Sequence, residues 1–144
     1  MNKKTLVVYL FIYFLLILSP QKSFASKWGN GELKLTKDLV DYFIYYIRGE
    51  QFQFPAIFYV TLDGTNGTSW YCPERTNCQS GSPSQERAIC LQTTGQECKA
   101  FARMRTIKWN NGINKGKGKN SRIDSKWSDQ EIIDKLIELG FYQN

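Results

Sequence analysis

Lys3 and Lys4 precede an uncharged, largely apolar run from Thr5 to Leu18, and this leader sets what the rest of the chain can be. Fourteen helical residues span about 21 Å, whereas a bilayer core takes about 20 residues. The run is short for a permanent span and right for the hydrophobic region of a secretory signal. Ser19 and Pro20 break the helix, and Ser23-Phe24-Ala25 offers small residues at the two positions a signal peptidase reads. The sequence therefore predicts cleavage between Ala25 and Ser26, export to the periplasm or the medium, and membrane contact only in passing. What remains to fold is residues 26–144, one domain's worth. Lys3, Lys4 and Lys22 leave with the signal and no acid does, so three of the six excess positive charges belong to the leader. The rest is too weakly basic to argue for nucleic acid.

Export also frames the cysteines. Cys72, Cys78, Cys90 and Cys98 fall within 27 residues, and neither short spacing is CxxC. Beyond the cytoplasm such thiols are expected to be oxidised rather than to hold metal. Three pairings are open to four cysteines. Local geometry favours Cys72–Cys78 and Cys90–Cys98, because Cys90 sits late in a predicted helix and Cys98 opens a predicted strand. That short return brings their Cα atoms within about 6 Å.

Along residues 26–144, Gly31 to Leu35 reads as an extended entry. Thr36 then caps a helix to Arg48, with Gly49 as a left-handed terminator. Val40, Phe43, Ile44 and Ile47 form its apolar stripe, widened by Leu39, Tyr42 and Tyr46. The run from Ala56 to Leu62, the cluster Asp63 to Thr68, and Ser69 to Cys72 together predict a β-hairpin. Ser82, Pro83 and Gln85 mark a helix start that Gly95 ends. Lys99–Met104 and Thr106–Trp109 read as two further extended stretches, with Phe101, Ile107 and Trp109 pointing inward and Asn110-Asn111-Gly112 closing the run. Ser128-Asp129-Gln130-Glu131 is a capping box opening a final helix, whose apolar face is Ile132, Ile133, Leu136, Ile137 and Leu139. Gly140 stops it, and Phe141 and Tyr142 are expected to fold back onto the core.

Residues 112–126 change character. Lys115, Lys117, Lys119, Arg122 and Lys126 stand against the single acid Asp124, with three glycines among them. This composition predicts a flexible, self-repelling basic loop, either a solvated linker or a landing strip for an anionic envelope partner. A second candidate surface is aromatic: Tyr42, Tyr45 and Tyr46 on the first helix, with Trp70 and Tyr71 in the hairpin. Their half-wet rings suit a sugar or a protein partner.

The chain has no histidine, which removes the commonest general base and every triad built on it. No GxGxxG or GKS/GKT sequence suggests a nucleotide cradle. The turn after Leu62 lacks the spacing of a calcium loop, so no metal or cofactor is expected. The remaining catalytic candidates are Asp63 and Glu74, the acids flanking the hairpin and its aromatic residues, which a carboxylate-dependent hydrolase of envelope polysaccharide would use.

Gln85-Glu86-Arg87-Ala88, Cys90, Gly95, Cys98, Phe101-Ala102 and Ile107-Lys108-Trp109 carry a resemblance as well. This stretch of about 25 residues is similar to a pattern in small uncharacterised exported bacterial proteins, where a cysteine-bearing helix ends at a glycine and a second cysteine opens a strand. The resemblance implies a helix–disulfide–strand unit and no particular activity.

These readings combine into one expectation. The exported chain is an α+β domain, a small antiparallel sheet of four to five strands packed with about three helices and stapled by two disulfides. Its leading role is a non-catalytic binding or accessory domain of the periplasm or cell envelope. The alternatives are the small hydrolase and a structural subunit that docks through the aromatic helix face.

Overall fold

The computed structural model describes residues 26–49, 53–73 and 83–143. The expected leader, the Ala25 side of its expected cleavage site, and Glu74 lie outside the described residues. Elements follow in the order α1 (Lys37–Arg48), β1 (Gln53–Thr61), β2 (Gly67–Pro73), α2 (Pro83–Thr94), β3 (Cys98–Arg103), β4 (Thr106–Ile107), a 3-10 turn at Lys119–Ser121, and α3 (Asp129–Glu138). The sheet has four strands in the order β2-β1-β3-β4, each antiparallel to its neighbour. Because β2 and β3 both run against β1, they are parallel to each other, and α2 carries the chain across between them.

Strand β1 alternates its side chains between two cores. Phe58 and Val60 join the larger core, with α1 and α3 on that face, while Ile57 and Tyr59 join a smaller one with Cys90, Cys98 and Ala100 beneath α2. A bulge between Phe58 and Tyr59 pairs them with Ala102 and Ala100 and leaves Phe101 without a partner. Phe101 and Ala102 thus both enter the larger core. There Phe101 meets Phe43 at 5.2 Å and Phe141 at 5.0 Å, each ring at 83° to it, the edge-on arrangement that aromatic quadrupoles favour. Pro55 lies inside β1 rather than before it, and a second bulge, between Pro55 and Ile57, absorbs its missing N–H.

The helix ends follow their local chemistry closely. Ser128 and Glu131 form the reciprocal capping box of α3, and Ile132 and Leu136 are fully buried. Phe141 is also buried and its carbonyl accepts from Leu35 N–H at 2.8 Å. On α1 every stripe residue is buried. Thr36 occupies the N-cap by backbone alone, without a side-chain hydrogen bond, and Gly49 takes φ 76° with ψ 168°. Gly49 therefore ends the helix with positive φ but an extended ψ, not in the left-handed helical conformation.

Three expectations need correction. The first is the pair of disulfides: among the described residues the structure shows one complete bridge, Cys90–Cys98, with Cα atoms 6.1 Å apart. Cys72 is not a free thiol, and Cys78, its expected partner, lies outside the described residues. The second correction is to the extended stretches, since β4 holds only Thr106 and Ile107. What pairs with the first half of β3 is the entry segment instead. Trp28 bridges Ala100 and Asn30 bridges Asn110, both in parallel.

The third concerns residues 112–126, which are pinned down rather than left as a loose linker. Asn114, 2 % exposed, donates from Nδ2 to the carbonyls of Trp109 at 2.7 Å and Ile107 at 3.3 Å. Its Oδ1 accepts from Ser121 Oγ at 2.6 Å. Ile123 is buried and its N–H reaches the Arg105 carbonyl at 2.7 Å. Three side-chain hydrogen bonds on one buried amide anchor the middle of the loop.

Candidate cationic cleft

The entry segment is held by a ladder of hydrogen bonds. Gly29 N–H donates to the Ala100 carbonyl at 3.1 Å, Ala100 N–H to Lys27 at 3.0 Å, Asn110 N–H to Gly29 at 3.1 Å, and Gly31 N–H to Asn110 at 2.9 Å. The buried Trp109 indole closes the clamp, its Nε1–H reaching the Gly31 carbonyl at 2.8 Å. Gly29 lies flat on that indole, where an added Cβ would fall 1.9 Å from a ring carbon. The loop approaches as tightly on the other side. Gly116 has φ +70°, and its Cβ would come 2.4 Å from the Lys108 carbonyl oxygen.

Between these two contacts opens a cleft of about 720 Å³. Its walls bring five cations together: Lys27 from the entry segment, Arg103 from the end of β3, Lys108 after β4, and Lys115 and Lys117 from the loop. No acid lines it. Among the described residues none of the five takes part in an ion pair. The Lys27 ammonium sits 4.7 Å from the centre of the half-buried Trp28 ring, a cation–π contact that holds a flexible side chain at the cleft wall. Like charges around a concave wall focus their field outward and raise the local concentration of anions. Asn30, Asn110 and Ser26 add neutral hydrogen-bonding groups to the lining.

The candidates read from sequence separate. Of the basic loop, Lys115 and Lys117 enter the cleft, whereas Lys119, Arg122 and Lys126 are exposed and do not line it. Lys27 stands alone in its stretch, whereas Arg103 and Lys108 belong to an acid-free basic run with Arg105 that the sequence reading treated only as strand. The alternation Lys115-Gly116-Lys117 was the one local signal, since a glycine between two lysines permits a close backbone approach.

The aromatic candidates divide between core and surface and between the two faces of the sheet. Tyr46 is fully buried, its hydroxyl donating to the Met104 carbonyl at 2.9 Å, and burial drives its pKa well up. Tyr42 shares a hydrogen bond with Ser69 Oγ at 2.7 Å and lies against Phe58. Tyr71 packs on the same core, and Tyr45 is exposed. Trp70 packs on the opposite face, with the smaller core. No single platform gathers the five.

Asp63 is committed to its own turn. Thr61 Oγ1 donates to Asp63 Oδ1 at 2.6 Å, and Thr65 donates through its N–H at 3.1 Å and its hydroxyl at 2.9 Å. The Thr61 hydroxyl and then the Thr65 N–H hold the Asp63 pKa down at about 2. A carboxylate so stabilised in its charged form is a poor general acid.

One further buried carboxylate escaped the sequence reading. Glu86, 2 % exposed, accepts a hydrogen bond from the buried Tyr59 hydroxyl. Burial, then Glu86, push the Tyr59 pKa up. The pair joins α2 to β1 across the smaller core, and a glutamate on a helix of little apolar periodicity carried no sequence mark of burial.

No family model, curated protein or solved structure matches the chain. The functional reading therefore rests on the cleft itself. Among the described residues no cluster of His, Cys, Asp or Glu could hold a metal ion, and no helix is long and apolar enough to cross a membrane.

Proposed function

We propose that this is an exported binding domain whose cleft takes an anionic group (phosphate, sulfate or carboxylate) of a periplasmic or envelope component. The observation that carries the reading is five cations around one cavity where, among the described residues, there is neither an ion pair to them nor an acid in the lining. Surface lysines are commonly solvated without purpose. Here two glycines that tolerate no Cβ, and a fully satisfied buried asparagine, support the walls that present them. Such preorganisation lowers the ordering cost of binding. Export follows from the leader, and small uncharacterised exported bacterial proteins remain the company that the helix–disulfide–strand unit suggests. Asp63, held by its turn, gives the hydrolase alternative little support, and the burial of Tyr46 and of much of Tyr42 does the same for docking through α1.

Binding of a soluble sulfated dextran, followed by calorimetry, tests the proposal. Changing Lys108, Lys115 and Lys117 together to Gln should weaken binding more than tenfold. Changing Lys119 and Lys126, which carry like charge outside the cleft, should cost less than about twofold. Equal losses from the two sets would reduce the effect to net charge and overturn the proposal. Anionic phospholipid vesicles run in parallel separate a polymer ligand from a lipid surface.

A further inference from the structure

We infer that removal of the leader supplies the cleft with a sixth cation, the α-ammonium group of Ser26, and so completes the site only in the exported chain. The inference rests on the cleft reading above and on cleavage between Ala25 and Ser26. Ser26 lines the cleft beside Lys27. In the uncut chain its nitrogen is a neutral amide, and after cleavage it carries a positive charge. The residue that carries the charge is tied to the fold on its C-terminal side. Ser26 Oγ accepts from Trp28 N–H at 3.2 Å, and the residues that follow are locked into the ladder with Ala100 and Asn110. A charge placed there loses little freedom when an anion arrives.

The consequence is a pH dependence with one source. The chain has no histidine, and no described cysteine is free. The charged groups that line the cleft with Ser26 are Lys27 of its own segment, Arg103 of β3, Lys108 after β4, and Lys115 and Lys117 of the loop. All are cationic side chains. An α-amine ordinarily titrates at about 7.7–8.0, and these neighbours make it release its proton more readily. Affinity for an anion of constant charge is therefore highest at lower pH. It falls as pH rises through the amine's titration, whereas a site of lysines and arginine alone holds its affinity level over that range.

The test compares two forms of the chain from Ser26 to Asn144, which contains every residue of both cores: one with a free α-amine, one Nα-acetylated. The probe is a sulfated dextran oligosaccharide, whose charge does not change between pH 6 and 9. At pH 6.5 acetylation should weaken binding about fivefold, the effect of one unit charge at about 4 Å in water. The free-amine form should lose the same factor by pH 9, and the acetylated form should stay level. Matching thermal melts of the two forms exclude a folding effect. Equal affinities and level profiles in both forms, with binding still lost on changing Lys115 and Lys117 to Gln, would overturn the role of Ser26 and leave the cleft standing. No binding by either form would overturn both. An exported protein whose N-terminus lies elsewhere than Ser26 would also end the inference.

Discussion

Gly116 shows how much one residue carries here. Its positive φ costs an alanine about 1–2 kcal/mol, and the Cβ would strike the Lys108 carbonyl oxygen, which is backbone and cannot swing away. Gly116→Ala should lower stability by at least about 1 kcal/mol and weaken sulfated-dextran binding severalfold, because Lys115 and Lys117 must retreat with the loop. Gly95 is the comparison. It has φ +73° with open space around it, so Gly95→Ala should show the conformational penalty in a melt and leave binding unchanged. Asp63 offers a residue-scale test by titration. Its pKa is 3.8 unperturbed and about 2 in the fold. A depressed carboxylate contributes stability above its unfolded pKa and loses it as pH falls through the folded one. Stability should therefore drop between about pH 4 and pH 2, and Asp63→Asn should flatten that part of the profile in urea titrations.

Elements were legible where their ends are local chemistry. In α3 the serine hydroxyl accepts from Glu131 N–H at 3.2 Å, and the glutamate accepts in turn from Ser128 N–H at 2.7 Å. Ser128→Ala should cost about 1 kcal/mol, read as a lower denaturation midpoint with an unchanged slope. The hairpin was legible for the same reason: Thr61, Asp63, Thr65 and Asn66 close it within a few residues of one another. The Cys90–Cys98 bridge belongs to this class too, as a short return from helix to strand. Strand β4 was not legible. Thr106 to Trp109 has the composition of a strand, but Lys108 and Trp109 both donate to the Phe101 carbonyl, at 2.7 and 3.1 Å. The ladder breaks there and leaves room for the entry segment to pair.

At the scale of the molecule, the proposed function depends on charges that meet only after folding. If the cleft binds by field, its affinity must follow the screening length, which shortens from about 30 Å at 0.01 M salt to about 8 Å at 0.15 M. Sulfated-dextran binding should weaken more than tenfold over that range, and unsulfated dextran should not bind at either; a salt-independent affinity would argue for another mode. The sequence by itself determined where α1 and α3 begin and end, where the hairpin turns, and that Cys90 and Cys98 suit a bridge. Each of these is decided by hydrogen bonds or chain geometry over a few residues. The tertiary structure alone decided that residues 112–126 are pinned by Asn114, that the aromatic candidates divide between core and surface, and that Lys27, Arg103, Lys108, Lys115 and Lys117 share one cavity. Those outcomes hang on pairings such as Trp109 with Gly31, 78 residues apart, and no local preference encodes a contact of that span.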